Sequence, residues 1–262
     1  MREKAIREFT RLLDIMDELR EKCPWDMKQT NQTLRKLTIE ETYELADAIL
    51  QDDNEAIRNE LGDLMLHVAF YAKIGSEKGI FGMGEVLEGI NSKLIYRHPH
   101  VFGDVNVTRG AREVEENWEK LKMTEHSEFK PVLSGVPSSL PATVKANRIQ
   151  EKVRGVGFDW ESQEQIWDKV TEELNELKDE IASGRKVNIE AELGDLFFTL
   201  INAARLYEID PESALEKTNR KFISRFNYLE QKTLAKGLSL RDLTLDEMNV
   251  IWEEAKQFDK PL

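Results

Sequence analysis

The sequence predicts an all-α protein built from two tandem helical bundles. Apolar residues recur at steps of three and four along most of the 262 residues, the period of an amphipathic helix. A third of the residues are charged, and proline and glycine are sparse inside the periodic stretches. No stretch alternates with period two for long enough to predict a strand. One acidic pattern also occurs twice, so we expect two copies of a helical domain.

The repeated pattern consists of two acidic pairs in each half. In the second half, Glu173 and Glu176 stand three residues apart, as do Glu192 and Asp195. Residues three apart on a helix point to the same side, so two such helices packed face to face would gather four carboxylates. The earlier copy lies 132 positions before and consists of Glu41, Glu44, Glu60 and Asp63. Duplication explains this equal spacing most simply.

Carboxylates gathered in this way indicate a metal site. Like charges raise one another's pKa unless a cation compensates them, and an all-oxygen donor set suits Mg²⁺ or Mn²⁺ rather than Zn²⁺. A single acidic pair on a helix is usually only a solvated face. Here the pairs are doubled, duplicated and flanked by apolar residues, with Gly62 and Gly194 between the acids of each second pair. Because glycine within a helix costs about 1 kcal/mol relative to alanine, we expect another backbone to approach the site there.

Helix start and stop signals divide each half into several helices. In the first half they predict helices over 4–22, from Asp26 or Thr30 to Leu50, from an N-cap at Asn54 to Gly75, and over 85–96 and 112–122. In the second half they predict helices over 142–153, 163–183, 188–207, 211–234 and 244–257. The stretch 124–141 contains three prolines and no periodicity, which is typical of a linker. We therefore expect domains over 1–123 and 142–262.

Composition excludes several classes of function. The net charge of −13 argues against binding to a nucleic-acid polymer, although local cations and a metal can still hold a small anion. Cys23 is the only cysteine, which rules out an intrachain disulfide and a thiolate zinc site. No run of some 18 apolar residues occurs, and the first residues lead into an amphipathic stretch. We expect a cytoplasmic protein with no membrane partner.

Three motifs together resemble the MazG family of tandem-domain nucleoside triphosphate pyrophosphohydrolases. They are the E-E-x-x-E…E-x-x-D arrangement, Cys23-Pro-Trp-Asp26 and Arg97-His-Pro-His-Val-Phe102. The resemblance covers nearly the whole chain. It implies two MazG-like domains of the all-α pyrophosphatase fold and a homodimer in which both subunits build each bundle. It also implies Mg²⁺-dependent cleavage of NTPs or dNTPs to the monophosphate and pyrophosphate, as in the house-cleaning of nucleotide pools.

The acids of the second half are the predicted catalytic centre. Glu173, Glu176, Glu192 and Asp195 can hold one or two ions that bind the triphosphate, and a bound ion polarises a phosphoryl group and lowers the pKa of an attacking water. Glu172 or one of the ligating carboxylates would position or deprotonate that water. The residues alone do not choose between these two.

Cations for the triphosphate are predicted on a later helix. Lys221 and Arg225 lie four apart on one helical face, where they could bind phosphate or form an ordinary basic surface. The family pattern N-x-K-F-x-x-R-F falls on Asn219, Lys221 and Arg225 and implies phosphate contacts from the two cations. Lys169 and Trp252 match further family positions. Asn188 stands where some members have a lysine, and it is a further candidate for a substrate contact.

The resemblance favours the second half as the hydrolase and leaves the first half as a metal site of uncertain activity. Further candidates in the first half are the cations Lys36, Lys93 and Arg97 and the histidines His67, His98 and His100. His67 is expected to be packed or to support a ligating acid rather than to be a ligand itself, whereas His98 and His100 fit phosphate contacts and interface packing equally. One alternative is a non-catalytic metal-binding helical module. Another is a pyrophosphatase selective for one nucleotide, such as dUTP.

Overall fold

The computed structural model describes residues 1–107, 110, 113–114, 117–118, 121, 131–160 and 162–259. Within these residues there are ten α-helices and no strand, so the predicted all-α fold is confirmed. The chain divides into two compact units, Met1–Val114 and Glu115–Leu262. Most of the helix predicted over 112–122 lies outside the described residues. No helix in the described part is long and apolar enough to cross a membrane.

Five helices lie in the part of the first unit that the structure describes up to residue 107. They are α1 (Arg2–Lys22), α2 (Asn31–Leu50), α3 (Asn54–Glu77), α4 (Met83–Arg97) and the short α5 (Pro99–Phe102). The central helix α3 packs against α1, α2 and α4. Its Phe70 and Ile74 form the core with Met16 of α1 and Leu34 of α2. The expected stripes of apolar residues therefore face one another and fix the helices that carry the acids.

Side-chain caps set the starts of α2 and α3. Thr30, one of the two predicted starts, forms a capping box with Thr33, whose N–H donates to the Thr30 hydroxyl at 3.2 Å. The N-cap predicted at Asn54 is wrong, because Asp53 holds that position. The Asp53 carboxylate accepts the N–H groups of Glu55 and Ala56, both at 3.0 Å. An ionised carboxylate there satisfies two helix donors and also favours the positive end of the helix dipole.

The second unit has five helices within 131–160 and 162–259. They are α6 (Ala142–Arg154), α7 (Gln165–Ser183), α8 (Lys186–Leu206), α9 (Pro211–Ala235) and α10 (Leu245–Ala255). Helices α7 and α8 form a tightly packed hairpin, and α9 packs against α6, α8 and α10. The hairpin turns at Gly184, whose φ of +72° is the left-handed conformation that favours glycine at a helix end. This turn places the acids of α7 beside those of α8.

Part of the predicted linker belongs to the second unit and packs on α6. Val132–Gly135 forms a short 3-10 turn against α6, and the Lys152 Nζ donates to the Val132 carbonyl at 3.2 Å. Lys152 is buried, so this backbone carbonyl satisfies a charge that has left water. The domain limits 1–123 and 142–262 stay a prediction.

Candidate functional site

The second unit brings three predicted metal ligands together. Glu173 and Glu176 of α7 and Glu192 of α8 each offer a carboxylate oxygen, and these atoms all lie within 4.8 Å of one another. We call this group the second-unit cluster. Its geometry follows from the hairpin, because the three-residue spacing on α7 points two carboxylates at the facing helix. Glu173 is buried, Glu192 half-buried and Glu176 exposed.

Mutual repulsion is built into the second-unit cluster. The pKa of Glu192 is raised by burial and then by the negative charges of Glu176, Asp195, Glu173 and Glu180. Asp195 is not one of the three gathered residues, so the cluster contains three of the four predicted carboxylates, and Asp195 acts on Glu192 through its charge. A divalent cation would offset the repulsion that these acids exert on one another.

Lys169 binds the buried acid of the second-unit cluster. Its Nζ lies 2.7 Å from Oε1 of Glu173 and 3.0 Å from Oε1 of Glu172. These hydrogen bonds to Glu173 and Glu172 raise the pKa of Lys169. Glu172 itself is exposed and is not among the three gathered acids, so it lies beside the cluster with Lys169 rather than within it.

Glu180 is a further acid at the cluster that the sequence analysis missed. It lies one turn beyond Glu176 on α7, and its charge contributes to the raised pKa of Glu192. Burial acts to raise the pKa of Glu180, but hydrogen bonds from Arg185, Asn188 and Ser183 bring it below the ordinary value. Asn188, predicted to contact substrate, therefore holds Glu180 in this structure. The seven-residue spacing from Glu173 was the signal that could have found Glu180.

The first unit contains the matching cluster. Oxygens of Glu41, Glu60 and Asp63 lie within 4.8 Å of one another, and we call this group the first-unit cluster. The pKa of Glu41 is raised by burial and then by the charges of Asp63, Glu44 and Glu60. Glu44 thus acts as Asp195 does, through its charge. The position 132 residues before Lys169 is Leu37, so the first-unit cluster has no lysine there.

His67, one turn after Asp63, is packed as expected. It is 7% exposed, and burial lowers its pKa. The rings of His98 and His100 lie against each other, tilted by 53° with centroids 5.6 Å apart, and the Leu94 carbonyl lies 2.7 Å from the His98 Nδ1. These contacts hold the histidines against α4.

The predicted phosphate-binding face lies on α9. Arg225 lies over the Trp252 ring of α10 at 5.7 Å from its centroid, and its guanidinium pairs with Asp259. The Phe222 ring packs on Trp252 with centroids 4.9 Å apart. The Asn219 Nδ2 donates to the Glu216 Oε2 at 3.4 Å. The structure therefore brings Arg225 and Trp252 together, while Asn219 is held within its own helix.

A second repeat accompanies this helix. The pattern N-x-K-x-I-x-R of Asn219 to Arg225 also occurs from Asn91 to Arg97, 128 positions earlier, on α4. The offset of this pattern differs from the 132 of the acidic pairs because the segments between the helices differ in length. A search at the offset of 132 therefore does not find this second match. In the first unit, Lys93 and Arg97 are therefore the equivalents of Lys221 and Arg225.

The expectation about Gly62 and Gly194 is not met within the described chain. A Cβ added at either glycine would meet no atom within 4 Å. Both positions are exposed on their helices, so the other helices of the same unit do not come close enough to require glycine.

Fold and site together define a class: an all-α protein in which helix hairpins gather carboxylates at a spacing suited to a hard metal ion. Its sequence matches the model of the MazG nucleotide pyrophosphohydrolase domain twice, over residues 29–102 and 161–229. The chain belongs to this family, and the resemblance drawn from the motifs is confirmed.

Two relatives of similar length bear names from the same family, and a third relative is longer. A Thermotoga maritima protein named nucleoside triphosphate pyrophosphohydrolase/pyrophosphatase MazG is 42% identical over 96% of this chain and 97% of its own length. An Escherichia coli nucleoside triphosphate pyrophosphohydrolase is 39% identical over 96% of this chain and 98% of its own. The Bacillus subtilis protein YabN, which is uncharacterized, is 43% identical over 97% of this chain and 52% of its own length.

Proposed function

We propose that this protein is a Mg²⁺-dependent nucleoside triphosphate pyrophosphohydrolase whose catalytic centre is the second-unit cluster. The observation that carries the proposal is the convergence of three carboxylate oxygens within 4.8 Å, beside Lys169. Family membership and the names of the full-length relatives support the reaction class, hydrolysis of an anhydride bond in a nucleoside triphosphate. The products would be the nucleoside monophosphate and pyrophosphate.

The residues present fit a hard divalent cation. All donors are carboxylate oxygens, and the raised pKa of Glu192 reflects burial and repulsion between acids that a bound ion would relieve. Glu173, Glu176 and Glu192 would hold the ion, with Asp195 adding charge or a further ligand. Mg²⁺ usually keeps sites open for water and substrate phosphate, and it supplies Lewis acidity and a more acidic water. Mn²⁺ is the expected substitute.

The other residues would bind and orient the substrate. Lys169, Lys221 and Arg225 supply positive charge for the triphosphate, and Arg225 can hold phosphate with two parallel hydrogen bonds. Glu172 lies next to Lys169 and is one candidate for positioning the attacking water, and a ligating carboxylate is the other. Trp252 offers an aromatic face to the nucleobase. Because every base has a π-face, such stacking favours broad base tolerance over selectivity for dUTP.

The assembly is part of the proposal. On α8 the aromatic side chains of Phe197 and Phe198 are 57% and 41% exposed in the single chain, and Leu193 and Leu200 are 40% exposed. An apolar stripe of this kind on the metal-binding helix favours a homodimer that covers it. The first-unit cluster would hold a metal with lower activity, since Leu37 replaces the lysine. A cytoplasmic location stays a prediction.

Pyrophosphate release tests the function directly. Purified protein with Mg²⁺ and a panel of NTPs and dNTPs should release pyrophosphate and monophosphate in equal amounts. Glu173→Gln should lower the rate by about a hundredfold or more, since the ion contributes several kcal/mol to the transition state. Glu41→Gln is the matched control in the first-unit cluster and should have a smaller effect. Release of orthophosphate without pyrophosphate would reject the proposal, and no hydrolysis at all would favour a non-catalytic metal-binding module.

A further inference from the structure

The C-terminal turn closes on the predicted phosphate-binding face of α9. After α10, the 3-10 turn Lys256–Phe258 brings Asp259 to Arg225. The Arg225 Nε donates to Oδ1 of Asp259 at 3.1 Å, and its Nη2 donates to Oδ2. One edge of the guanidinium therefore holds both oxygens of a carboxylate.

This contact has the form of phosphate recognition. Guanidinium presents parallel N–H groups that fit carboxylate and phosphate in the same way. The Arg225 side chain is only 15% exposed, since Asp259 covers its edge and Trp252 lies beneath it. A triphosphate arriving at Arg225 would thus find that edge already occupied.

The surroundings of Asp259 are cationic. Its pKa is lowered by the hydrogen bond from Arg225 and by the positive charges of Arg225, Lys221 and Lys256. Glu253 pairs with Lys256 at 2.5 Å and also acts on Arg225, so the three cations and two carboxylates leave one positive charge in excess. Such a place favours an anion with more charge than a single carboxylate carries.

The turn itself is lightly held. The Phe258 ring packs on Tyr228 with centroids 5.1 Å apart, yet Phe258 remains 63% exposed. The ion pair with Arg225 is therefore a main contact of this segment with α9, and an anion that competes for Arg225 would compete with the turn.

We propose that Asp259 is an internal mimic of the substrate phosphate, which occupies Arg225 in the resting protein and must leave before a triphosphate binds there. This rests on the proposed function, which assigns Lys221 and Arg225 to the triphosphate. When only a fraction of the protein molecules is in the binding-competent form, the apparent Kd equals the intrinsic Kd divided by that fraction. The C-terminal turn therefore sets the apparent affinity for substrate without taking part in the chemistry.

The test compares Asp259→Asn with the full-length wild type. Binding of inorganic tripolyphosphate is measured by calorimetry, and KM and kcat are measured from pyrophosphate release with a dNTP and Mg²⁺. Because an ion pair near the surface is weak, Kd and KM should fall by only about two- to fivefold. The kcat value should stay within about twofold. Asp246→Asn, which removes the same charge from the first turn of α10, should change neither constant.

Two further variants make the outcome decisive. A chain ending at Phe258 should show the same gain in affinity. Arg225→Ala should bind tripolyphosphate more weakly, and adding Asp259→Asn to that variant should not change its Kd. If Asp259→Asn raises Kd and KM, the carboxylate holds Arg225 in position for substrate, and the mimic is rejected. If the wild type hydrolyses dNTPs and Asp259→Asn leaves Kd and KM unchanged, the mimic is rejected as well. A wild type that releases no pyrophosphate rejects the proposed function, and the inference falls with it.

Discussion

The Nζ of Lys169 lies 2.7 Å from Oε1 of Glu173, the most buried acid of the second-unit cluster. The two residues stand one turn apart on α7, so the pair needs no other helix to form. It neutralises a carboxylate that would otherwise be both buried and surrounded by like charges. Lys169 therefore partly balances the cluster before any metal ion binds.

Replacing Lys169 should separate metal binding from substrate binding. Lys169→Met removes the positive charge beside the cluster, so without substrate the Kd for Mg²⁺ should fall by about two- to fivefold. The KM for a dNTP should rise about tenfold, since a charge-assisted contact to phosphate is lost. Calorimetry with Mg²⁺ and steady-state pyrophosphate release measure the two effects. Lys178→Met, on an exposed position of the same helix, is the control. Weaker Mg²⁺ binding in Lys169→Met would contradict this role.

The Arg20 and Glu77 pair should make the first unit sensitive to acid. The Arg20 Nη2 lies 2.6 Å from the Glu77 Oε2, and this hydrogen bond lowers the pKa of Glu77 from 4.5. A carboxyl group whose pKa is lower in the folded state stabilises the protein when the pH is above its pKa in the unfolded state. This contribution is lost as the pH falls through its pKa in the folded state. Glu77→Gln should therefore cost about 1 kcal/mol at pH 7, and the difference from wild type should narrow below pH 4.5.

Thermal unfolding at several pH values measures this difference. The control is Glu55→Gln, because Glu55 and Arg58 form an exposed pair 3.5 Å apart on α3. Such a pair should contribute little at any pH. A constant difference for Glu77→Gln between pH 3 and pH 7 would show that packing, and not the ion pair, is responsible.

Arg205 should be a main stabilising residue of the second unit. Its side chain is 7% exposed, its Nη1 donates to the Asp159 Oδ2 at 3.2 Å, and its Nε donates to the Asn202 Oδ1 at 2.9 Å. Arg205→Met should lower the free energy of unfolding by about 2 kcal/mol, because Asp159 and Asn202 lose their partner. Urea unfolding measures the change. Arg58→Met, at a side chain that is 73% exposed and pairs with the similarly exposed Glu55, should cost less than about 0.5 kcal/mol.

Two glycines should respond in opposite ways to alanine. At Gly75 a Cβ would lie 2.7 Å from the Phe81 carbonyl oxygen, so Gly75→Ala should destabilise the protein by about 1–3 kcal/mol. At Gly194 the space is open, so alanine should stabilise α8 by up to about 1 kcal/mol. Melting temperatures of the two variants test this. A loss of stability in Gly194→Ala would instead show that a partner subunit packs against that position.

Local patterns sufficed for the helices and for the identity of the acids. The three-residue spacing fixed which side of α7 carries Glu173 and Glu176, and the repeat showed that the first half has the same design. The N-cap at α3 was missed by one residue, because Asp53 and Asn54 are both good capping residues and only the backbone path selects between them. Glu180 was missed because its role depends on the proximity of Glu192 on the facing helix.

The helical fold, the duplication, the family and the acidic pairs could all be read from the sequence, since periodicity and residue chemistry are local properties. The convergence of Glu173, Glu176 and Glu192, with Asp195 acting through its charge, became visible only once the helices were packed together. The tertiary structure also decided that Asp259 lies on Arg225, 34 positions earlier in the chain. Distances between side chains on different elements depend on how the helices pack, and spacing along one chain carries no measure of that.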